Sequence, residues 1–166
     1  EAPCATEFAI SRFLVPHLCG YRGWAIFADG DMICRADIAD LWALRDDRCA
    51  VMVVKHQPYE ARGVKFLGRA QTSYERKNWS SVMLFNCARC RALSPEYVNV
   101  AEPLDLHQFR WVLAERFIGE LPAAWNHLVG VNEPAPEAKL VHFTLGTPCF
   151  AAYARCEYAN EWHEEK

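Results

Sequence analysis

The run Trp24-Ala25-Ile26-Phe27-Ala28 is bounded by Gly23 on one side and by Asp29-Gly30-Asp31 on the other. A short apolar run between turn signals reads as a buried strand. Two carboxylates then stand at the C-terminal tip of that strand, the edge at which open α/β sheets receive their ligands. Alternate positions at a strand end point the same way, so Asp29 and Asp31 can reach one hard divalent cation. Gly30 between them lets the backbone come close. Because such a cation can hold a diphosphate, the pair points to phosphate-ester chemistry.

The rest of the chain fits a layered α/β domain. At 166 residues it has the length of a single domain, residues 1–166, and with 52% hydrophobic residues it can bury a real core. A net charge of -3 gives no general attraction to nucleic acid. No apolar run approaches the ~20 residues that cross a bilayer, so no transmembrane segment is expected. The chain opens at Glu1-Ala2-Pro3 without an initiator Met and is expected to continue a longer protein. Eight cysteines are scattered along it. With an adequate core they read as reduced, mostly buried thiols of a cytoplasmic protein rather than a disulfide framework. Cys87-Ala88-Arg89-Cys90 is a single CxxC; a structural zinc site needs four ligands.

Thr6 is placed to cap a helix running to about Leu14, with Pro16 near its end. Asp37 is placed to cap a short helix over 38–44, with Ile38, Leu41 and Trp42 on its apolar face. Cys49 to Val54 reads as a central strand and Ser81 to Phe85 as another. Residues 95–118 read as largely helical with a break near Pro103, Leu140 to Phe143 as a short strand, and Phe150 to Trp162 as a helix. Residues 55–77 are basic and weakly periodic, in keeping with a lid over an anionic substrate or with a solvated loop. Strands alternating with helices argue for an α/β layer architecture.

His142 closes one of these strands and is the best third ligand for a cation at Asp29 and Asp31. Two carboxylates and an imidazole suit Mn2+, with Mg2+ as an alternative. Taken singly, the Asp pair also fits a solvated turn, and the His a satisfied core group. Asn78-Trp79-Ser80-Ser81 stands at the entrance of the strand Val82-Met83-Leu84-Phe85. Its small polar side chains can hydrogen-bond sugar hydroxyls, and Trp79 can stack on a sugar face. The same residues also fit a capped, Trp-anchored strand.

Together these segments resemble the retaining, metal-dependent glycosyltransferases of family eight, over nearly the whole chain. The residues that carry the likeness are Ser11-Arg12-Phe13-Leu14-Val15-Pro16 ahead of Trp24 to Asp31, Asp37-Ile38 with Leu41-Trp42, Trp79-Ser80-Ser81-Val82-Met83-Leu84-Phe85-Asn86, Leu121-Pro122-Ala123-Ala124-Trp125-Asn126, and His142-Phe143-Thr144-Leu145-Gly146. The resemblance implies a GT-A-like, Rossmann-like α/β fold: a mixed, mostly parallel sheet flanked by helices. It implies a hexosyltransferase that moves a sugar from a nucleotide-sugar donor, usually a UDP-sugar, to a carbohydrate, lipid-linked or protein acceptor. Mn2+ would be held by Asp29, Asp31 and His142. Arg12 would contact the donor, Asn78, Ser80 and Ser81 would lie near its sugar, and Gly146 near its phosphates. His107 and Gln108 stand where the family carries an Asp-Gln pair on the acceptor side.

The chain also departs from the family. Thr147-Pro148-Cys149 replaces the lysine that follows the family's terminal glycine, leaving Lys77 or Arg76 as substitutes. The family's opening strand and helix, which read the base, precede anything matched here. The chain therefore corresponds to the C-terminal two-thirds of such a fold. Those departures favour a second reading, a transferase-like module that binds sugar or a partner without catalysis. A phosphohydrolase using Asp-x-Asp as nucleophile and acid fits poorly, since Ile33 stands where a Thr or Val is required.

Overall fold

The structure is a computed structural model that describes residues 9–58 and 75–165, together with the backbone of two short strands between them. A 3-10 turn, Ser11–Leu14, leads into helix α1, Val15–Leu18. Then come β1 (Trp24–Ala28), β2 (Met32–Cys34), α2 (Ile38–Ala43) and β3 (Val51–Val53). The two-residue strands β4 (Val64–Lys65) and β5 (Arg69–Ala70) pair with each other. They are followed by β6 (Val82–Asn86), α3 (Pro95–Val100), α4 (Pro103–His107) and β7 (Ile118–Glu120). Last come β8 (His127–Leu128), β9 (Leu140–His142) and α5 (Ala159–Glu164).

Two sheets matter. One has the order β1-β6-β3-β7 and the other β2-β9-β8. In the first, β3 and β6 are buried along their whole length. Their side chains alternate between two apolar cores, as a pleated strand requires. Val51, Val53, Met83 and Phe85 join Phe13, Phe109, Trp111 and Ile118 on one face. Met52, Val54, Val82 and Leu84 join Leu41, Leu121, Trp125 and Leu140 on the other. β7 packs so closely that a Cβ on Gly119 would come 2.8 Å from the side chains of Cys49 and Met52, so only glycine fits there. A third cluster, Ile33, Val129, Ala138, Val141 and Phe143, supports the smaller sheet.

The expected mixed α/β architecture is present, with a different balance of strand directions. Of six described pairings only two, β3 with β7 and β8 with β9, are parallel. β6 runs antiparallel to both of its neighbours, which breaks the parallel run expected of the central strands.

Other expectations need correction. Pro16 does not end a helix; it lies in the first turn of α1, where its missing N–H costs nothing. The 95–118 segment is two short helices, each opened by a proline, and Glu102 ahead of Pro103 is extended. α4 stops before Phe109, which takes a left-handed conformation (φ 60°). The tail is likewise divided, since left-handed Tyr158 precedes α5. The cysteines are not mostly buried: Cys19, Cys34 and Cys149 are exposed, Cys49, Cys87 and Cys90 buried, and Cys156 lies between. Much of the basic 55–77 segment, and the cap at Thr6, lie outside the described residues. Among the described residues no helix is long and apolar enough to cross a membrane.

Candidate metal centre

Asp29-Gly30-Asp31 is the link between the two sheets. The Asp29 N–H donates to the Ser81 carbonyl at 3.0 Å, prolonging the β1–β6 pairing by one bond. The Asp31 carbonyl accepts from the Phe143 N–H at 3.0 Å, and Met32 stands opposite His142 in the β2–β9 ladder. The strand register therefore delivers the histidine to the acid pair. His142 Nε2 lies 3.4 Å from an Asp31 oxygen and 4.0 Å from an Asp29 oxygen. One ligating atom from each of the three side chains lies within 4.8 Å of the others, and among the described residues they form the one group of this kind. The imidazole is almost fully buried, while Asp31 is partly open.

Two of the three are held from outside the triad. Arg12, on the 3-10 turn ahead of α1, grips Asp29 with both terminal nitrogens: Nη2 at 2.9 Å from Oδ1 and Nη1 at 3.2 Å from Oδ2. The same guanidinium donates to the carbonyls of Ser80 and Ala9, both at 2.9 Å, and lies over the Phe27 ring. On the far side of the triad His142 Nδ1 is 3.2 Å from Asn126 Oδ1. The Asn126 amide nitrogen donates to the Asn78 carbonyl and to Ser81 Oγ, both at 3.1 Å. Ser81 Oγ in turn donates to the Asn78 carbonyl at 2.5 Å.

The two carboxyls are driven apart electrostatically. Burial pushes Asp29 above the usual carboxylate range, more than Arg12 and His142 pull it down. Burial raises Asp31 as well, but the hydrogen bond and charge of His142 outweigh it and leave that carboxyl below the usual range. A bidentate arginine beside a raised carboxyl means that desolvation dominates at Asp29, as it does for a charge withdrawn between two sheets.

The other expected site residues fall into place unevenly. Asn78 adopts a left-handed conformation (φ 62°), and its Oδ1 lies 3.5 Å from Thr144 Oγ1. Ser80 and Ser81 are buried, and their hydroxyls bond within the protein, Ser80 Oγ to His107 Nδ1 at 2.7 Å. His107 thus reaches the triad through Ser80 and Arg12. Gln108 does not join it by any bond described here: its carbonyl accepts from Arg76 at 2.8 Å, and it lines a surface hollow with Glu75, Arg110 and Glu115. Arg76 also pairs with Glu115 at 2.5 Å. Lys77 is buried. The Trp79 indole donates to the His56 carbonyl at 2.9 Å, and the ring packs against the larger core. At Gly146 the backbone has φ 154°, and a Cβ would come 2.3 Å from the Tyr153 ring, so only glycine lets that ring close over the turn.

Asn126 lies in the Leu121–Asn126 stretch, but its role is not legible from sequence, and the same holds for His56 and His127. His56 Nε2 is buried with no hydrogen-bond partner among the described residues. Burial, helped by His142 and His127, pushes that imidazole down to about 4. His127 Nε2 lies 3.2 Å from Glu157.

No family model matches the chain. The chain is 45% identical over 168 residues to the Protein CDI of Arabidopsis thaliana, an alignment that takes in 97% of this chain and 64% of that protein. It therefore spans somewhat less than two thirds of that relative's length. Among solved structures it superposes on the apo form of the bifunctional glycosyltransferase WbbM, with a TM-score of 0.64 and 14% identity over 98% of this chain and 36% of that one. It superposes also on the apo glycosyltransferase GlyE of Streptococcus pneumoniae TIGR4, with a TM-score of 0.54 and 16% identity over 96% of this chain and 47% of that one. At those identities the likeness establishes the fold: this chain has the GT-A-like fold of glycosyltransferases.

Proposed function

We propose that this chain is the greater part of a metal-dependent, retaining glycosyltransferase of the family-eight kind, with residues 1–166 forming one transferase domain. It would move a hexosyl group from a UDP-sugar to a carbohydrate, lipid-linked or protein acceptor, in the cytoplasm. The observation that carries this reading is the convergence of Asp29, Asp31 and His142 at the junction of two sheets in a GT-A-like fold.

The donor set fits a cation of intermediate hardness. Two carboxylates and one imidazole match Mn2+, and Mg2+ less closely. Asp29, Asp31 and His142 would hold it, and when bound it supplies positive charge that stabilises a departing diphosphate. The remaining tasks belong to the chain. Arg12 fixes both oxygens of Asp29 and stands as a contact for the donor. Asn78, Ser80 and Ser81 form the wall beside the donor sugar, tied by the buried serine hydroxyls to His107 and Asn126. Gly146 is assigned to the donor phosphates. His107 and Gln108 are assigned to the acceptor side. A location in the cytoplasm follows from reading the scattered cysteines as reduced thiols.

The test is UDP binding with and without Mn2+. Binding that depends on the metal and is lost in Asp31→Ala supports the assignment; UDP affinity unchanged in the variant removes it. The second reading, a module that binds without transferring, is favoured by Thr147-Pro148-Cys149 in place of the lysine. Donor hydrolysis separates the two: turnover of UDP-sugar eliminates the non-catalytic module.

A further inference from the structure

We infer that Asn126 is a positioning residue that fixes His142 as the Nδ1–H tautomer, so that the Nε2 lone pair faces the acid pair; the inference rests on the metal reading above. The Asn78 carbonyl can only accept a hydrogen bond, so the Asn126 group 3.1 Å from it is the amide nitrogen. That settles which way the Asn126 amide points. Its oxygen must then be the atom 3.2 Å from His142 Nδ1. An amide oxygen can only accept, so Nδ1 carries the proton. In the neutral ring Nε2 is then the acceptor, and it is the nitrogen that stands 3.4 Å and 4.0 Å from the two carboxylates.

Nε2 can therefore either carry a second proton and donate to the carboxylates, or, in the neutral ring, present its lone pair to a cation among them. Nδ1 keeps its proton in both cases, so the ring needs no reorientation when a cation takes the place of the Nε2 proton. Asn126 is fully buried and the side chain it directs almost so, which leaves no room for water to substitute for it. All of its polar capacity is spent in place, one oxygen on His142 and one nitrogen shared between Asn78 and Ser81. An outer partner that fixes the tautomer of a metal-ligating histidine is worth about 10–100-fold in metal affinity.

The full-length protein, Asn126→Ala, Asn126→Leu and Asn126→Asp are compared by two measurements. The first is 15N NMR of the His142 ring in metal-free protein. With the ring titrated to its neutral form, the Nδ1–H pattern is expected in wild type and Asn126→Asp, and its loss in Asn126→Ala and Asn126→Leu. The second is Mn2+ titration followed by the EPR signal of the free ion. Asn126→Ala and Asn126→Leu should weaken binding by about 10–100-fold, with Asn126→Asp close to wild type because a carboxylate still accepts from Nδ1. Asn126→Leu keeps the volume and covers the case in which Asn126→Ala does not fold. Asn126→Asp removes the donor to Asn78 and Ser81, so a merely structural role would weaken all three variants alike. That result overturns the inference, and so does wild-type affinity in all of them. Should wild type bind no Mn2+, the metal reading fails, while the ring spectra still decide the tautomer.

Discussion

Strands β3 and β6 bury apolar side chains on both faces, with Asn86 at the end of β6 as the exception, and they carry none of the proposed ligands. Strands β8 and β9 are as deeply buried, yet His127 and His142 are two of their five residues, and buried Asn126 stands just ahead of β8. Burying a polar side chain is tolerable only when it is hydrogen-bonded. The smaller sheet therefore gives up part of its apolar packing for side chains held in one orientation, and the larger sheet supplies stability on which that arrangement leans. The acid pair lies where they meet, each aspartate tied to one sheet by its own backbone.

This division can be broken by a cavity in the larger sheet. Phe85 is fully buried in the larger core. Phe85→Ala should cost about 3–5 kcal/mol of stability in urea titrations, while the molecules that remain folded keep their Mn2+ affinity. A fall in affinity at constant folded fraction would mean that the two sheets are not separable in this way.

The converse experiment acts at the junction. Asp31→Ala should reduce Mn2+-dependent UDP affinity by roughly two orders of magnitude, about 2.7 kcal/mol, and also lower the denaturation midpoint at neutral pH, because His142 holds the Asp31 carboxyl below the usual range. Asp29→Asn differs, since burial makes the Asp29 charge costly even beside Arg12, whereas His142 makes the Asp31 charge favourable. At neutral pH it should therefore lower the denaturation midpoint less than Asp31→Asn does. The reverse order would show that the unpaired Arg12 outweighs the desolvation of Asp29.

A third measurement probes coupling across the junction. His56 lies just beyond β3, and burial first, then the charges of His142 and His127, hold its imidazole at about 4. The unfolded chain takes up that proton near pH 6.5 and the folded chain near 4. Between these values the unfolded state binds more protons, so stability falls as pH is lowered. From pH 7 to pH 5 the loss from this one group is about 2 kcal/mol. His56→Gln should remove that part of the slope, read from urea titrations at the two pH values. An unchanged slope would place the acid sensitivity elsewhere.

The larger sheet was readable in advance because continuous apolar runs such as Val51 to Val54 and Val82 to Phe85 have few other uses in a folded chain. Asp29-Gly30-Asp31 was readable because it closes such a run, and His142 because it closes another. β8 was not: two residues carry no periodicity, and His127 and Leu128 are a strand only by virtue of their pairing with Val141 and His142. The left-handed breaks at Phe109 and Tyr158 carry no sequence signal, since neither is a glycine. Arg12 was seen as a contact for the donor, but its grip on Asp29 spans seventeen positions and needs the fold. Asn126 was visible as a residue and invisible as a device, because its role depends on which ring nitrogen carries a proton.

The smallest expected effect tests whether an element beside the junction depends on its own cap or on the core beneath it. α2 has six residues, too few to be stable alone. Asp37 accepts from the Ala39 N–H at 2.9 Å and caps it, while Leu41 sits fully buried among the residues of the second core. If burial of Leu41 dominates, Asp37→Ala should cost about 1 kcal/mol, the ordinary value of a cap, and Asp37→Ser should recover most of it. Both are read from urea midpoints at neutral pH, with Mn2+ affinity as the control. A loss approaching that of Phe85→Ala would mean that the cap sets the path of the chain from β2 to β3. The junction would then be held by local turn chemistry as much as by the two sheets it joins.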